Sequence, residues 1–158
     1  MATPILDVPP EVTALLMERE GWRTASYEDT VNKLTAGMGH LLSASEMHRY
    51  PKGTPIPDAV LQGWKQQDSL NAYRTAVAWA NTIGESNPIL VNALASVCFQ
   101  MGMAWPSIFK TTWKFLLAHD WNNAAMAAGE SLWARQTPAR VDDFKQALYA
   151  LADAEKPA

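Results

Sequence analysis

The chain has 158 residues, of which 48% are hydrophobic and 18% are charged. This length is typical of one domain that buries about two-thirds of the unfolded chain's surface, and the composition is typical of a globular protein rather than a disordered one. The formal net charge of -3, together with the absence of any Lys or Arg cluster in the sequence, speaks against binding to nucleic acid or to anionic lipid.

Cysteine usage and the first residues bear on the cellular compartment. Cys98 is the one cysteine, so no intrachain disulfide can form, which is typical of a protein made in a reducing compartment. We predict no signal peptide, because Arg19 is the first basic residue and Thr13 interrupts the apolar run of residues 12–17. No stretch approaches the ~20 apolar residues of a membrane helix. If the target lies outside the cytoplasm, we therefore expect that something else must let the protein out.

The N-terminal third of the sequence predicts a helix, a small sheet and a second helix. Residues 11–20 place apolar side chains at helical spacing, and Gly21 suits the end of that helix. Residues 22–42 mix short apolar runs with turn residues and glycines, which predicts a small antiparallel sheet. The capping-box pattern at residues 43–46 predicts a short helix that ends before Pro51.

The remainder of the sequence predicts helices. A proline-rich loop leads into a long helix over residues 57–81, and Asn87 followed by Pro88 predicts the start of a buried helix that ends at Gly102. Further helices are predicted over residues 107–118, after a cap at Asp120, and from a break at residues 136–138 to about residue 152. The predicted class is α+β, with helix dominant.

Glu20, Asp29 and Thr35 are the candidate catalytic group. Glycoside hydrolysis needs one protonated carboxyl group for the departing sugar oxygen and one ionised group that activates or positions water, or attacks. The negative end of the helix dipole disfavours ionisation of Glu20, although a nearby arginine would act in the opposite direction. We therefore expect Glu20 to be the acid and Asp29 the base. Such a pair arises easily by chance among 16 acidic residues, so Thr35 and the glycine–histidine run that follows it add the weight.

Three stretches of the sequence resemble the phage-type lysozymes, glycoside hydrolase family 24, which include the phage endolysins. Residues 20–42 carry EGWR, YEDT and TAGMGHLL, residues 99–102 read FQMG, and residues 133–140 read WARQTPAR. The three stretches follow one another in the family's order, and the resemblance extends over about residues 11–150.

The resemblance implies a mainly helical, two-lobed lysozyme-like fold within a single domain, residues 1–158. The N-terminal lobe, about residues 11–57, would hold the small antiparallel sheet. The long helix at about residues 57–81 would link it to a helical lobe at about residues 82–152. The glycan would thread the cleft between the two lobes.

The resemblance also implies roles for individual residues. Glu20 would be the general acid, and Asp29 and Thr35 would hold the water that attacks from the opposite face, with inversion of the anomeric centre. His40 would support the sheet by pairing with Asp68. Other implied residues are those that line the substrate site (Leu41, Phe99 and Thr112), a charged partner near Glu20 (Arg140), and a hydrogen-bonded pair behind the cleft (Gln100 and Trp133).

Two departures from the family's pattern affect the sugar contacts. Residues 43–57 are short and proline-rich, where well-known members carry a longer helical insert. Ala127 takes a position where some members have a sugar-binding amide. These differences concern the subsites rather than the catalytic step.

The function expected from the resemblance is that of a bacteriolytic endolysin. It would hydrolyse the β-1,4 bond between N-acetylmuramic acid and N-acetylglucosamine in peptidoglycan, as a monomer without a cofactor or metal, and cause host cell lysis. It would accumulate in the host cytoplasm and reach the periplasmic wall with the help of a holin, without inserting into the membrane itself. The alternatives are a virion-associated or non-catalytic peptidoglycan-binding protein on the same fold, and a cell-wall amidase or peptidase.

Other reactive residue types favour structural interpretations. The spacing of His40, His48 and His119 matches no zinc signature, and we expect the last two on the surface. Cys98 lies in an apolar helical context that is typical of a small buried residue rather than a nucleophile. Most of the tryptophans are expected in the core, whereas Trp22 and Trp105 flank element ends and are expected to be partly exposed.

Overall fold

The computed structural model describes residues 7–156, which form nine helices and a three-stranded sheet. The strands are β1 (Arg23–Glu28), β2 (Leu34–Gly37) and β3 (His40–Leu41). The helices are α1 (Pro10–Glu20), α2 (Ala44–Arg49), α3 (Asp58–Ile83), α4 (Pro88–Met101), α5 (Trp105–Ile108), α6 (Lys110–Leu117), α7 (Trp121–Glu130), α8 (Leu132–Gln136) and α9 (Pro138–Ala154). The predicted α+β class with a small antiparallel sheet is confirmed.

The chain divides into two units within α3, with Asn71 closing unit 1 and Ala72 opening unit 2. Unit 1 carries α1, the sheet, α2 and the first half of α3, and unit 2 carries the second half of α3 and all later helices. The lobe boundaries predicted near residues 57 and 82 stay a prediction. Within residues 7–156, no helix combines the length and the apolar character needed to cross a membrane.

The sheet of unit 1 has the order β1–β2–β3, and both pairings are antiparallel. Thr35 lies in the central strand, opposite Tyr27 on one side and Leu41 on the other. The free edge of β1 is covered by the proline-rich loop, because Ala25 pairs with Pro55 in an isolated bridge. This loop is therefore attached to the sheet through the bridge between Ala25 and Pro55.

One apolar cluster of unit 1 comprises Ala36, Leu42, Tyr50, Ile56 and Leu61, with Trp22, Leu34, Val60 and Trp64 packed against it. The predicted capping box starts α2: the Ser43 hydroxyl accepts from the backbone N–H of Glu46, and the Glu46 carboxylate accepts from the N–H of Ser43. The helix ends at Arg49, before Pro51, as predicted.

Unit 2 is built around α4 and a cluster of aromatic rings. The Asn87 side chain accepts from the backbone N–H of Ile89, Pro88 occupies the first turn, and Gly102 ends the helix at a φ of 81°, as the sequence predicts. The ring of Trp105 is fully buried and packs against neighbouring rings from several helices: Trp79, Phe109, Trp113, Trp133 and Phe144.

Three predictions for unit 2 were wrong or incomplete. The single helix predicted over residues 107–118 is two helices. Pro106 lies in the first turn of a short helix that begins earlier than predicted, and Phe109 interrupts the helix with non-helical angles, φ -102° and ψ 61°. A break before α8 was missed, where Ser131 caps the new helix by accepting from the N–H of Ala134. The prediction that Trp105 is partly exposed was wrong, since its ring lies inside the aromatic cluster.

Candidate active site

Glu20 is the last residue of α1, and the chain turns away at Gly21, whose φ is 75°. Its carboxyl group lies against the backbone of Gly39 in the turn between β2 and β3, because a Cβ added at Gly39 would lie 2.8 Å from Glu20 Oε2. Gly39 also has a φ of +73°, which side chains rarely adopt. Glycine at position 39 is therefore what allows the Glu20 carboxyl group to sit on the sheet.

Asp29 follows β1 and is held in a tight turn by the backbone of Lys33. Its Oδ1 atom accepts two hydrogen bonds, from the N–H of Val31 at 2.9 Å and from the N–H of Lys33 at 2.8 Å. The N–H of Asp29 in turn donates to the Lys33 carbonyl at 2.9 Å. One carboxylate oxygen is thus fixed by the turn, while the second oxygen takes no part in these bonds.

Thr35 is buried in the central strand, with 5% of its surface exposed. Its hydroxyl donates to the Lys33 carbonyl at 3.0 Å. A hydroxyl has one proton to donate, so toward any further partner Thr35 acts as an acceptor. The backbone of Lys33 therefore holds both Asp29 and Thr35, a link that the spacing of the two residues did not reveal.

In unit 1, the imidazole ring of His40 lies between the carboxylates of Asp68 and Glu46. Nδ1 is 2.6 Å from Asp68 Oδ2, Nε2 is 3.0 Å from Glu46 Oε1, and the ring stacks on Trp64 with centroids 4.2 Å apart. The expected pair of His40 with Asp68 is thus present. Glu46 and Trp64 were missed as members of this network, although the capping box had already singled out Glu46.

The charge state of His40 follows from these contacts. Burial is the largest influence and lowers the pKa of His40, but the hydrogen bonds and charges of Asp68 and Glu46 together outweigh it and raise the pKa above its ordinary 6.5. For Glu46, burial raises the pKa, but the bonds from Ser43 and His40 outweigh it and lower the pKa below its ordinary 4.5. The arrangement therefore favours the positively charged form of the His40 ring and the ionised form of Glu46.

Unit 2 brings together the two residues expected behind the cleft. The indole N–H of Trp133 donates to Gln100 Oε1 at 3.0 Å. The Gln100 amide donates to the Thr137 hydroxyl at 2.9 Å, which in turn donates to the Trp133 carbonyl at 3.2 Å. Thr137 closes this ring of bonds and was missed, although it stands within the Gln-Thr-Pro motif.

Arg140 is buried in unit 2, with 7% of its surface exposed. Its guanidinium donates to the Ser96 hydroxyl at 2.8 Å and to the Ser96 carbonyl at 3.1 Å. The expected proximity of Arg140 to Glu20 stays a prediction.

The residues expected to line the substrate site differ in exposure. Leu41 is 57% exposed on β3 in unit 1, and Phe99 is partly buried on α4 in unit 2. Thr112 is 3% exposed, so little of it is available for a direct sugar contact. It borders a cavity of about 290 Å³ in unit 2, together with Ile108, Phe109, Lys110, Thr111, Ala127, Glu130 and Ser131. Sugar binding by these residues stays a prediction.

Cys98, His48 and His119 are the other reactive side chains that the sequence analysis considered. Cys98 is buried, which raises the pKa of its thiol, while a hydrogen bond with Thr75 partly opposes the rise. A thiol in these surroundings is a poor nucleophile, which does not favour a cysteine peptidase. His48 and His119 are exposed, as predicted.

The family model described as phage lysozyme matches residues 17–143. Three proteins are similar in sequence to this chain. "Peptidoglycan hydrolase gp36" of Pseudomonas phage phiKMV is 30% identical, over 82% of this chain and 14% of that protein. "Pre-baseplate central spike protein Gp5" of Enterobacteria phage T4 is 25% identical over 87% of this chain and 28% of that protein. "Probable T4-type lysozyme 2" of Dictyostelium discoideum is 29% identical over 80% of this chain and 86% of that protein.

The chain thus spans only a small part of the two phage relatives and most of the Dictyostelium relative. The family match includes Glu20, Asp29 and Thr35 as well as the ring of bonds around Gln100. Because that match covers most of the sequence, the chain belongs to the phage lysozyme family.

Proposed function

We propose that this chain hydrolyses the glycan strands of bacterial peptidoglycan at the β-1,4 bond between N-acetylmuramic acid and N-acetylglucosamine. The observation that carries the proposal is the contact of Glu20 with Gly39, in the β2–β3 turn of the sheet whose β2 strand holds Thr35 and whose β1 strand leads into Asp29. The family supports it, as do the names of the phiKMV and Dictyostelium relatives, a peptidoglycan hydrolase and a probable T4-type lysozyme.

Glu20 serves as the general acid in this proposal. As the sugar–oxygen bond breaks, the departing oxygen gains negative charge, and Glu20 donates its proton to that oxygen. The carboxyl group lies against the Gly39 backbone, where a Cβ would be 2.8 Å from Glu20 Oε2. A fixed position matters because misplacement of a catalytic group by about 1 Å can cost about 100-fold in rate.

Asp29 and Thr35 hold the attacking water. Asp29 has one oxygen outside the bonds of its turn, and the Thr35 hydroxyl has given its proton to the Lys33 carbonyl, so both groups accept hydrogen bonds. A water that donates one hydrogen to each is left with a lone pair for the anomeric carbon. Asp29 takes the water's proton during the attack, and attack from the face opposite the leaving group inverts the anomeric centre.

The test of Glu20 is the clearing of chloroform-treated Gram-negative cells. Glu20→Gln keeps the size of the side chain but cannot donate the proton, and we expect a loss of about 100- to 10,000-fold in rate. Glu18→Gln, an exposed change on the same helix, is the matched control and should clear like wild type. Equal clearing by Glu20→Gln would contradict the assignment.

The products identify the bond and the stereochemistry. Mass spectrometry should show fragments with new reducing ends at N-acetylmuramic acid, and NMR of fresh product should show the α-anomer first. A β-anomer would indicate retention instead of inversion. Released stem peptides would favour an amidase or peptidase, and wall binding without any new reducing sugar would favour a binding protein.

We also propose that the chain acts as an endolysin that crosses from the host cytoplasm to the periplasmic wall through a holin pore and then lyses the host cell. Expression in a Gram-negative host should cause lysis only when a holin is co-expressed, and lysis without one would contradict this route. A virion-associated role is the second candidate, because one relative is named a central spike protein and the chain spans 28% of it. Detection of the chain in washed virions would favour that candidate.

A further inference from the structure

A cluster of three potential metal ligands lies in unit 2, and none of its members takes part in the proposed reaction. Glu85 follows α3, His119 lies between α6 and α7, and Glu155 follows α9. One ligand atom from each residue lies within 4.8 Å of the other two. The folded chain thus gathers one imidazole and two carboxylates that are far apart in sequence, which no spacing pattern could show.

The imidazole of His119 is oriented by a group outside the cluster. Nε2 is 2.7 Å from the carbonyl oxygen of Ile83, and because a carbonyl cannot donate, Nε2 carries the proton. In the neutral ring the lone pair is then on Nδ1. The ring also stacks on Trp121, with centroids 4.8 Å apart. Histidines that bind metals are commonly held in this way, by a hydrogen bond from the other ring nitrogen to a carbonyl.

Both carboxylates are oriented as well, each by a donor outside the cluster. The indole N–H of Trp121 donates to Glu155 Oε1 at 2.8 Å, and the backbone N–H of Asn87 donates to Glu85 Oε1 at 2.9 Å. Each bond uses one carboxylate oxygen and leaves the other for a further partner. Trp121 therefore supports two of the three groups, through its ring face and through its N–H.

We propose that Glu85, His119 and Glu155 bind a divalent transition-metal ion of the Zn²⁺ type. Two carboxylates carry two negative charges, which a divalent cation neutralises, and an imidazole nitrogen favours zinc over magnesium or calcium. Three protein ligands leave a coordination position for water. Because two of the three residues are exposed, the ion enters directly from solvent.

The ion joins three segments that meet at one end of unit 2: the turn after α3, the turn after α6 and the end of α9. An ion that binds the folded chain more tightly than the unfolded chain raises stability by mass action. The bound ion therefore stabilises the packing of the C-terminal helix α9 in unit 2, and this role is independent of the proposed hydrolysis.

The test uses the full chain without an affinity tag, with Zn²⁺ as the titrant in calorimetry and in thermal unfolding. We expect one Zn²⁺ per chain and a rise in the melting temperature, with no such rise in Mg²⁺. His119→Gln and Glu155→Gln should each weaken Zn²⁺ binding about tenfold or more. His48→Gln removes another exposed histidine in unit 1 and should bind Zn²⁺ like wild type.

A measurement on the wild-type chain keeps the test independent of how the variants fold. In proton–nitrogen NMR spectra of the histidine side chains, Zn²⁺ should shift the His119 signals and leave those of His48 in place. Absence of one-to-one binding, unchanged binding by His119→Gln, or a shift of His48 instead of His119 would overturn the proposal.

Discussion

The two units of the molecule hold their polar side chains by different means. In unit 1, Asp29 and Thr35 are fixed by backbone groups of one turn, and Glu20 rests on the bare backbone of a glycine. In unit 2, the partly buried Gln100 accepts a hydrogen bond from the buried indole of Trp133, whose ring belongs to the aromatic cluster.

The two units therefore depend on different properties: unit 1 on the positions of its polar groups, and unit 2 on the close packing of its side chains. In unit 1, the positions of the reactive groups depend on turns and on the absence of a side chain at Gly39. Unit 2 has its largest buried side chains in Trp105, Trp133 and Phe144, so its integrity depends on filled volume. We therefore expect changes in unit 1 to affect rate first and changes in unit 2 to affect stability first.

The largest effect is expected from Trp105→Ala, which removes a fully buried ring from the aromatic cluster of unit 2. Loss of the ring and the cavity left behind should lower the free energy of unfolding by about 3–5 kcal/mol. Within residues 7–156 the indole N–H has no hydrogen-bond partner, which places the cost toward the lower end. Urea unfolding followed by tryptophan fluorescence and circular dichroism measures it.

Leu132→Ala is the matched control in unit 2, because Leu132 is 61% exposed and its removal leaves no cavity. It should change the free energy of unfolding by less than about 0.5 kcal/mol. Equal losses for the two variants would mean that the ring cluster does not dominate the stability of unit 2. At a temperature where Trp105→Ala is folded, it should clear cells nearly as fast as wild type.

Gly39→Ala should have the next largest effect, and it should be on rate. The new Cβ would lie 2.8 Å from Glu20 Oε2, so the carboxyl group must move. We expect a loss of about 100-fold in clearing rate, since small displacements of a catalytic group are costly. Initial clearing rates at matched concentrations of folded protein measure it.

Gly53→Ala separates displacement of Glu20 from backbone strain. Gly53 has a φ of +86°, similar to that of Gly39, but a Cβ at Gly53 would meet nothing within 4 Å. Both variants should lose about 1–2 kcal/mol of stability from the left-handed backbone, and only Gly39→Ala should lose rate. If Gly53→Ala lost as much rate as Gly39→Ala, the seat of Glu20 would not be the cause.

Local signals in the sequence were sufficient for much of the fold. The Ser43–Glu46 capping box, the Asn87–Pro88 helix start and the ends at Gly21 and Gly102 act through neighbouring residues, and the structure has all of them. The His40–Asp68 contact was expected from the family resemblance rather than from spacing, and it is also present.

Features that depend on long-range packing could not be predicted in the same way. Burial of Trp105 depends on rings from several helices, so its position near a helix end misled the prediction. The contact of Glu20 with Gly39 joins a helix end to a strand turn, and only the glycine itself hinted at it. The cluster around His119 needs three segments to meet, which no local pattern records.

The smallest effect is expected at His40, and it should depend on pH. Because the pKa of His40 is raised in the folded state, its stabilisation is complete below pH 6.5 and is lost as the pH rises through the folded-state value. Because the pKa of Glu46 is lowered, its stabilisation is complete above pH 4.5 and is lost as the pH falls through its folded-state value. The contacts of His40 with Asp68 and Glu46 therefore stabilise the fold most between pH 4.5 and pH 6.5.

His40→Gln should lower the free energy of unfolding by about 2 kcal/mol near pH 5.5, which lies within the range for hydrogen bonds to charged groups. At about pH 9 the loss should be less than half of that, because the stabilisation is lost as the pH rises through the folded-state pKa of His40. His48→Gln, an exposed change on α2, should show little effect at either pH. A loss for His40→Gln that is the same at both pH values would mean that stacking on Trp64, not charge, is what His40 contributes. In that case unit 1, like unit 2, would depend on packing at this position, and the contrast between the units would be confined to the turn that holds Asp29 and Thr35.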